Sequence, residues 1–111
     1  MPIKISSTKL VNRSVLINPK GEVVTFYDKI HMFDVVLSKT EKYEESKKFL
    51  AGKDLVHAEL PWGMLGLSIC YDVRFSHLFQ TLAMEGGAEL FTVPAAFTYT
   101  TGLAHWHTLL Q

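Results

Sequence analysis

The chain has 111 residues, its 11 basic and 11 acidic residues give a formal net charge of zero, and 48% of its residues are hydrophobic. This length allows one domain at most, and this hydrophobic fraction excludes a disordered tail. The balanced charge does not support nucleic-acid binding, and no apolar run suits a membrane span or a signal peptide. A single cysteine forms no internal disulfide, which indicates a reducing cytoplasm.

The first predicted element is a β-hairpin. Residues 1–13 are polar and show no clear pattern, whereas Ser14 to Ile17 and Glu22 to Tyr27 are predicted as strands. Between them, the sequence Asn-Pro-Lys-Gly at 18–21 places proline and glycine where a tight turn favours them. Further on, the mixed charges from Glu41 to Lys48 predict a short solvent-exposed helix.

Directly after the hairpin, Lys29 is followed by the large apolar residues Ile30, Met32 and Phe33. This context suggests a charge that lies in a partly buried pocket. The alternative is an exposed lysine at the end of a strand, and the segment taken alone favours that alternative.

The second half of the chain predicts a β-α-β unit between residues 64 and 94. After a strand from Asp54 to Leu60, the apolar run that begins at Met64 predicts a buried strand. A helix with Ser76 as its cap follows, and a last strand ends at Pro94. The simplest connection is a right-handed crossover between parallel strands.

Cys70 lies between the first strand and the helix of this unit. A side chain at a strand-to-helix corner is rigid and points into a crevice, and nucleophiles are often presented in this way. The alternative is a small buried hydrophobic residue, as free cysteines usually are. Asp72 and Arg74 follow, and we expect each to pair with the other or with a neighbour and so stabilise the corner.

The last part of the chain is predicted as a loop from Ala95 to Gly102 and a helix from Ala104. The loop leaves the carboxyl end of a strand, which is the edge where α/β sheets place their sites. We expect His105 and Trp106 to pack on the helix rather than to take part in chemistry. Because neither end of the chain shows a closing element, we expect residues 1–111 to be one partial domain from the middle of a larger one.

Three segments together resemble the nitrilase superfamily of carbon–nitrogen hydrolases. Tyr27 to Asp34 is similar to the lysine motif of the family, and Gly66 to Phe75 is similar to its nucleophile motif. Val93 to Phe97, together with Thr101-Gly102 and Ala104 to Trp106, is typical of a branch of small amidases that act on ω-amides and deaminated glutathione. The resemblance implies an α/β fold: a partial α-β-β-α sandwich that lacks its N-terminal and C-terminal parts.

The resemblance also implies site residues, because family members use a Glu-Lys-Cys triad. Cys70 matches the nucleophile and Lys29 matches the triad lysine. Glu45 is similar to an additional glutamate near the site of many members, and Glu44 is the adjacent alternative. The general-base glutamate is expected upstream of the lysine, where only Glu22 is present, in a predicted hairpin strand. We therefore expect the base to be missing and the isolated chain to be inactive or nearly so.

The implied reaction hydrolyses a small non-peptide amide to a carboxylate and ammonia through a thioester on Cys70. The ammonium of Lys29 and the backbone N–H of Tyr71 would stabilise the oxyanion, and Phe97 is expected near the substrate. No metal or organic cofactor is needed. The full-length form is expected to be a homo-oligomer that binds neither nucleic acid nor membrane. Three alternatives stay open: nitrile or N-carbamoyl hydrolysis, a redox-sensing thiol, and a non-catalytic module that binds a ligand or a subunit.

Overall fold

The computed structural model describes residues 1–111, which form two compact units, Met1–Val56 and His57–Gln111. The first unit has a three-stranded antiparallel sheet in the order β1-β2-β3 and a separate antiparallel pair, β4 and β5. Its elements are β1 (Pro2–Lys4), β2 (Leu10–Ile17), β3 (Val23–Asp28), β4 (Asp34–Val36), β5 (Lys42–Glu44) and a 3-10 helix (Glu45–Lys47).

The predicted hairpin is confirmed as β2 and β3. Its turn closes with a 2.9 Å hydrogen bond from the N–H of Gly21 to the carbonyl of Asn18, and Gly21 has a φ of +82° that favours glycine. β2 extends further than the side-chain pattern indicates, because its first residues pair with β1. Glu22 lies in the turn rather than inside a strand, and its carboxylate accepts a 2.7 Å hydrogen bond from the Asn18 side chain.

The predicted helix from Glu41 to Lys48 is wrong. Lys42–Glu44 is a strand that pairs with Asp34–Val36, and only Glu45–Lys47 is helical. The backbone hydrogen bonds between β4 and β5 outweigh the weak helical preference of a mixed-charge segment.

The second unit contains the predicted β-α-β unit. Strands β6 and β7 are antiparallel, β7 and β8 are parallel, and the sheet order is β6-β7-β8. Leu65, Leu67, Leu78 and Leu82 are among the residues of its core. Its elements are β6 (His57–Leu60), β7 (Gly63–Leu67), a 3-10 helix (Cys70–Arg74), α1 (Ser76–Met84), β8 (Leu90–Thr92) and α2 (Tyr99–Leu110).

Both predicted helix starts need correction. Ser76 is the first residue of α1 and Phe75 is its N-cap, without a side-chain capping bond. The last helix begins at Tyr99 rather than at Ala104, because the hydroxyl of Thr98 accepts a 3.4 Å hydrogen bond from the N–H of Thr101 and caps it. Neither helix is long and apolar enough to cross a membrane.

Candidate active site

Lys29 directly follows β3, and its main chain is bonded on both sides. Its N–H donates to the carbonyl of Asn12 at 2.9 Å, and its carbonyl accepts from the N–H of Gly52 at 2.8 Å. The residue is only 2% exposed to solvent. The alternative of an exposed lysine at a strand end is therefore wrong, and the first interpretation of a buried charge is confirmed.

The buried ammonium of Lys29 forms an ion pair with the carboxylate of Glu45. The same carboxylate oxygen accepts a 2.8 Å hydrogen bond from the N–H of Phe33, and the N–H of Glu45 donates to the Phe33 carbonyl at 3.2 Å. Because the carboxylate is bonded to the main chain, its direction is fixed. Glu45 therefore orients the lysine ammonium and neutralises its charge.

The adjacent Glu44 has different partners. Its carboxylate oxygens lie 2.9 Å from the Lys42 ammonium and 2.5 Å from the Lys47 ammonium, and both lysines are largely exposed. Hydrogen bonds from Lys47 and then Lys42 lower the pKa of Glu44. The structure thus separates two glutamates that the sequence left as alternatives, since only Glu45 contacts Lys29.

A second ion pair stabilises the end of β3 next to Lys29. The guanidinium of Arg13 donates to both carboxylate oxygens of Asp28 at 2.7 and 2.8 Å, and it lies 3.7 Å from the ring centroid of Phe26. The hydrogen bond with Asp28 raises the pKa of Arg13. Sequence analysis missed this pair, although Arg13 and Asp28 are opposite each other in the hairpin register once β2 extends to residue 13.

Cys70 begins the 3-10 helix that follows β7, and it is the only non-glycine residue of the chain with a positive φ, at +48°. This left-handed conformation costs an L-residue roughly 1–2 kcal/mol. The N–H of Cys70 donates to the carbonyl of Pro94 at 2.9 Å and ties the corner to the residues after β8. The strained backbone persists because these surrounding bonds determine it, and such strain is typical of functional positions.

Buried polar groups on both sides of Cys70 stabilise this corner. The Ser68 hydroxyl donates to the Thr92 carbonyl at 2.7 Å, and the carboxylate of Asp72 accepts from the N–H of Ile69 at 2.9 Å. Ser68 and Asp72 are both 0% exposed. The expectation that Asp72 bonds to a neighbour and stabilises the corner is confirmed. Tyr71 lies in the first turn of the 3-10 helix, next to the cysteine.

Arg74, at the end of the same 3-10 helix, contacts rings rather than a carboxylate. Its guanidinium lies 3.2 Å from Nδ1 of His105 and 5.6 Å from the ring centroid of Phe97. The Phe97 ring meets the Trp106 ring edge to face at 5.0 Å. As expected, Trp106 packs against a neighbour. His105, expected only to pack, also gives Arg74 a nitrogen partner.

The predicted site residues fall into two groups. Lys29 and Glu45 are in direct contact in the first unit. The second unit holds Cys70 and Tyr71 in one 3-10 helix, and Phe97 close to the guanidinium of Arg74. No group of three or more histidine, cysteine, aspartate or glutamate side chains in the chain could bind a metal ion.

The model of the carbon–nitrogen hydrolase family matches residues 3–111. A deaminated glutathione amidase from Yersinia enterocolitica is 43% identical over an alignment 119 residues long, which covers 98% of this chain and 41% of the amidase. An omega-amidase from Danio rerio is 39% identical over 101 residues, which cover 91% of this chain and 36% of that protein.

The fold is also similar to a solved structure. The crystal structure of a Saccharomyces cerevisiae member of branch 10 of the nitrilase superfamily has a TM-score of 0.75 and 32% identity, and the match covers 91% of this chain and 33% of that one. The chain spans about two fifths of the length of the Yersinia amidase. The family match over nearly the whole chain and the similar structure confirm the predicted nitrilase-type fold, and the chain belongs to the carbon–nitrogen hydrolase family.

Proposed function

We propose that these residues belong to an enzyme that hydrolyses a small non-peptide amide, such as an ω-amide or a deaminated-glutathione-like amide, to a carboxylate and ammonia. The observation that carries this proposal is Cys70 in a strained, left-handed conformation at the corner between a buried strand and a 3-10 helix. The names of two relatives, a deaminated glutathione amidase and an omega-amidase, support the same reaction class.

In the first step the Cys70 thiolate attacks the amide carbon, and a carbon–sulfur bond forms while the oxygen gains negative charge. The carbon–nitrogen bond then breaks, the nitrogen takes a proton from the general base in its protonated form, and ammonia leaves a thioester. Water next adds to the thioester carbon while the same base takes one of its protons. The carbon–sulfur bond breaks, the thiolate is restored, and the carboxylic acid that forms loses its remaining proton to ammonia, which gives a carboxylate and an ammonium ion. The net reaction consumes one water for each amide.

Two groups have proposed roles in stabilising the negative charge. Lys29 acts as the triad lysine, and the N–H of Tyr71 acts as the hydrogen-bond donor next to the nucleophile. Glu45 orients the Lys29 ammonium, as their ion pair and the Phe33 N–H support. Phe97 is proposed to contact the substrate.

The surroundings of Arg74 favour a substrate that carries a carboxylate. Its guanidinium contacts the rings of His105 and Phe97 rather than a carboxylate, and it follows the nucleophile in the same short helix. A guanidinium has five donors that match a carboxylate in geometry and charge. An ω-amide such as succinamate supplies a carboxylate, whereas a simple amide or nitrile does not.

The general base is proposed to lie outside these 111 residues. Glu22, the one glutamate before Lys29, is exposed in the hairpin turn and is bonded to Asn18. The isolated chain is therefore expected to release little ammonia. We also propose that the full-length form assembles as a homo-oligomer.

An assay of ammonia release from succinamate, propionamide and propionitrile tests the function in the longest natural form of the protein. We expect succinamate to be the best substrate, and Cys70→Ala to lower kcat/KM by at least about 10³-fold. Ser76→Ala, which changes an exposed residue at the start of α1, is the control and retains activity. Turnover that survives Cys70→Ala would contradict the proposal. A fast hydrolysis of propionitrile, without that of succinamate, would favour a nitrilase.

A further inference from the structure

One continuous segment, Glu45–Gly52, contacts Lys29 at both of its ends. The Glu45 carboxylate pairs with the Lys29 ammonium, and the Gly52 N–H donates to the Lys29 carbonyl at 2.8 Å. Between these contacts, the N–H of Leu50 donates to the Leu10 carbonyl at 2.8 Å, and the N–H of Leu10 donates to the Lys48 carbonyl at 3.0 Å. The segment is therefore fixed beside β2, and its two ends determine where Lys29 lies.

The contact at Gly52 leaves no room for a side chain. A Cβ at this position would lie 2.8 Å from the carbonyl carbon and 3.0 Å from the Cβ of Asp28, and closer still to the carbonyl oxygen. The nearest atoms belong to the main-chain carbonyl of Asp28, at the end of β3 and directly before Lys29. Main-chain atoms cannot move aside through a change of side-chain rotamer. Any larger residue must displace the Glu45–Gly52 segment, the end of β3, or both.

We propose that Gly52 is a positioning residue for Lys29, because its N–H and its missing side chain together set the place of the lysine main chain. This inference rests on the proposed function for its catalytic consequence. The hydrogen bond of Gly52 is to the Lys29 main chain and not to its ammonium. Its effect reaches the reaction only through the position of Lys29, and displacement of a positioned charge lowers the turnover rate more than it weakens substrate binding.

The variant Gly52→Ala tests the proposal, and Gly86→Ala is its matched control. A Cβ at Gly86 would also meet a main-chain atom, the carbonyl oxygen of Leu82 at 2.7 Å, but Gly86 lies in the turn after α1 in the second unit. Both variants are expected to lose stability. Only Gly52→Ala is expected to lower kcat for succinamate, by roughly 10- to 100-fold with little change in KM. An equal loss of kcat in both variants would overturn the proposal.

A second readout does not depend on activity. In brief labelling with acetic anhydride, read by mass spectrometry, Lys29 is expected to react more slowly than the exposed Lys20 in the wild type. Gly52→Ala should raise the Lys29 rate several-fold, and Gly86→Ala should leave it unchanged. An unchanged Lys29 rate in folded Gly52→Ala would overturn the proposal. If the wild type hydrolyses no amide, the proposed function fails, and the labelling still decides the role of Gly52.

If Gly52→Ala does not fold, hydrogen exchange in the wild type decides. The Gly52 N–H is bonded to the Lys29 carbonyl, so its exchange should be slower than that of the N–H of Gly87, which lies in the exposed turn after α1. Exchange at Gly52 as fast as at Gly87 would show that this contact does not persist in solution, and the proposal would be wrong.

Discussion

The surroundings of Lys29 and the corner at Cys70 fix a side chain in place by different means. The ammonium of Lys29 is positioned by charge, since it is buried against the carboxylate of Glu45. Cys70 is positioned by backbone conformation, since its φ of +48° is maintained by neighbouring main-chain and buried side-chain hydrogen bonds. The loss of a contact therefore has a different consequence in each region. Near Lys29 it leaves a buried ion without its partner, whereas at Cys70 it lets the strained backbone relax.

The two regions also differ in how the sequence encodes them, although both depend on contacts between distant residues. At the Cys70 corner, Ile69 and Asp72 are three positions apart, whereas the Thr92 and Pro94 carbonyls come 24 positions after the groups that donate to them. The ion pair of Lys29 joins residues separated by 16 positions. The long-range contacts of the corner belong to a β-α-β unit that the apolar pattern predicts, whereas the ion pair depends on the pairing of β4 with β5, which the charge pattern does not indicate.

The largest effect on stability is expected at Glu45. Glu45→Gln removes the partner of a side chain that is 3% exposed, and a buried charge without its partner costs about 3 kcal/mol of unfolding free energy. Urea denaturation followed by circular dichroism measures this loss. The amide of glutamine can still accept from the N–H of Phe33, so the loss reports mainly the ion pair.

Glu44→Gln is the matched control at the next position. Its partners Lys42 and Lys47 are exposed, and surface ion pairs contribute little to stability. The urea midpoint of Glu44→Gln should therefore stay close to that of the wild type. Equal losses in the two variants would show that charge does not position Lys29, and the contrast between the two regions would be lost.

The next effect in size concerns the backbone of Cys70. Glycine adopts a positive φ without the penalty that an alanine pays, so Cys70→Gly should be more stable than Cys70→Ala by about 1 kcal/mol. At ordinary positions the order is the reverse. In the exposed helix position Ala83, the change Ala83→Gly should lower stability by about 1 kcal/mol.

Urea denaturation of these three variants measures both differences. A Cys70→Ala variant at least as stable as Cys70→Gly would mean that the left-handed corner carries no strain. Backbone strain would then no longer distinguish the Cys70 corner from the surroundings of Lys29.

Much of the second unit could be predicted from its sequence, because its signals are local. The apolar run before Cys70 gives a buried strand, and the periodic apolar residues after Ser76 give a helix, so the β-α-β unit follows. The helix starts were less accurate. The cap at Thr98 is a single hydroxyl bond within a polar loop, and several threonines nearby offer the same signal.

The partner of Lys29 could not be predicted in the same way. Glu44 and Glu45 have the same chemistry, and the choice between them depends on the direction that each side chain takes after β5. That direction is set by backbone pairing of β4 with β5, where the charge pattern had indicated a helix. The resemblance to the nitrilase superfamily pointed to Glu45, but only the tertiary structure shows the contact.

The smallest effect is expected at Asp34, beside the same charged region. Hydrogen bonds from the hydroxyl and the N–H of Ser46 lower the pKa of this carboxyl from its ordinary value of 3.8. A lowered pKa in the folded state stabilises the fold above the unfolded value, and this contribution is lost as the pH falls through the folded value. The urea midpoint of Asp34→Asn should therefore lie slightly below that of the wild type at neutral pH, and the difference should shrink below about pH 4.

Ser46→Ala, which removes the hydroxyl and keeps the carboxylate, should show part of the same change. A difference between wild type and Asp34→Asn that is independent of pH would show that this carboxylate contributes no charge-dependent stability to the turn that carries Glu45.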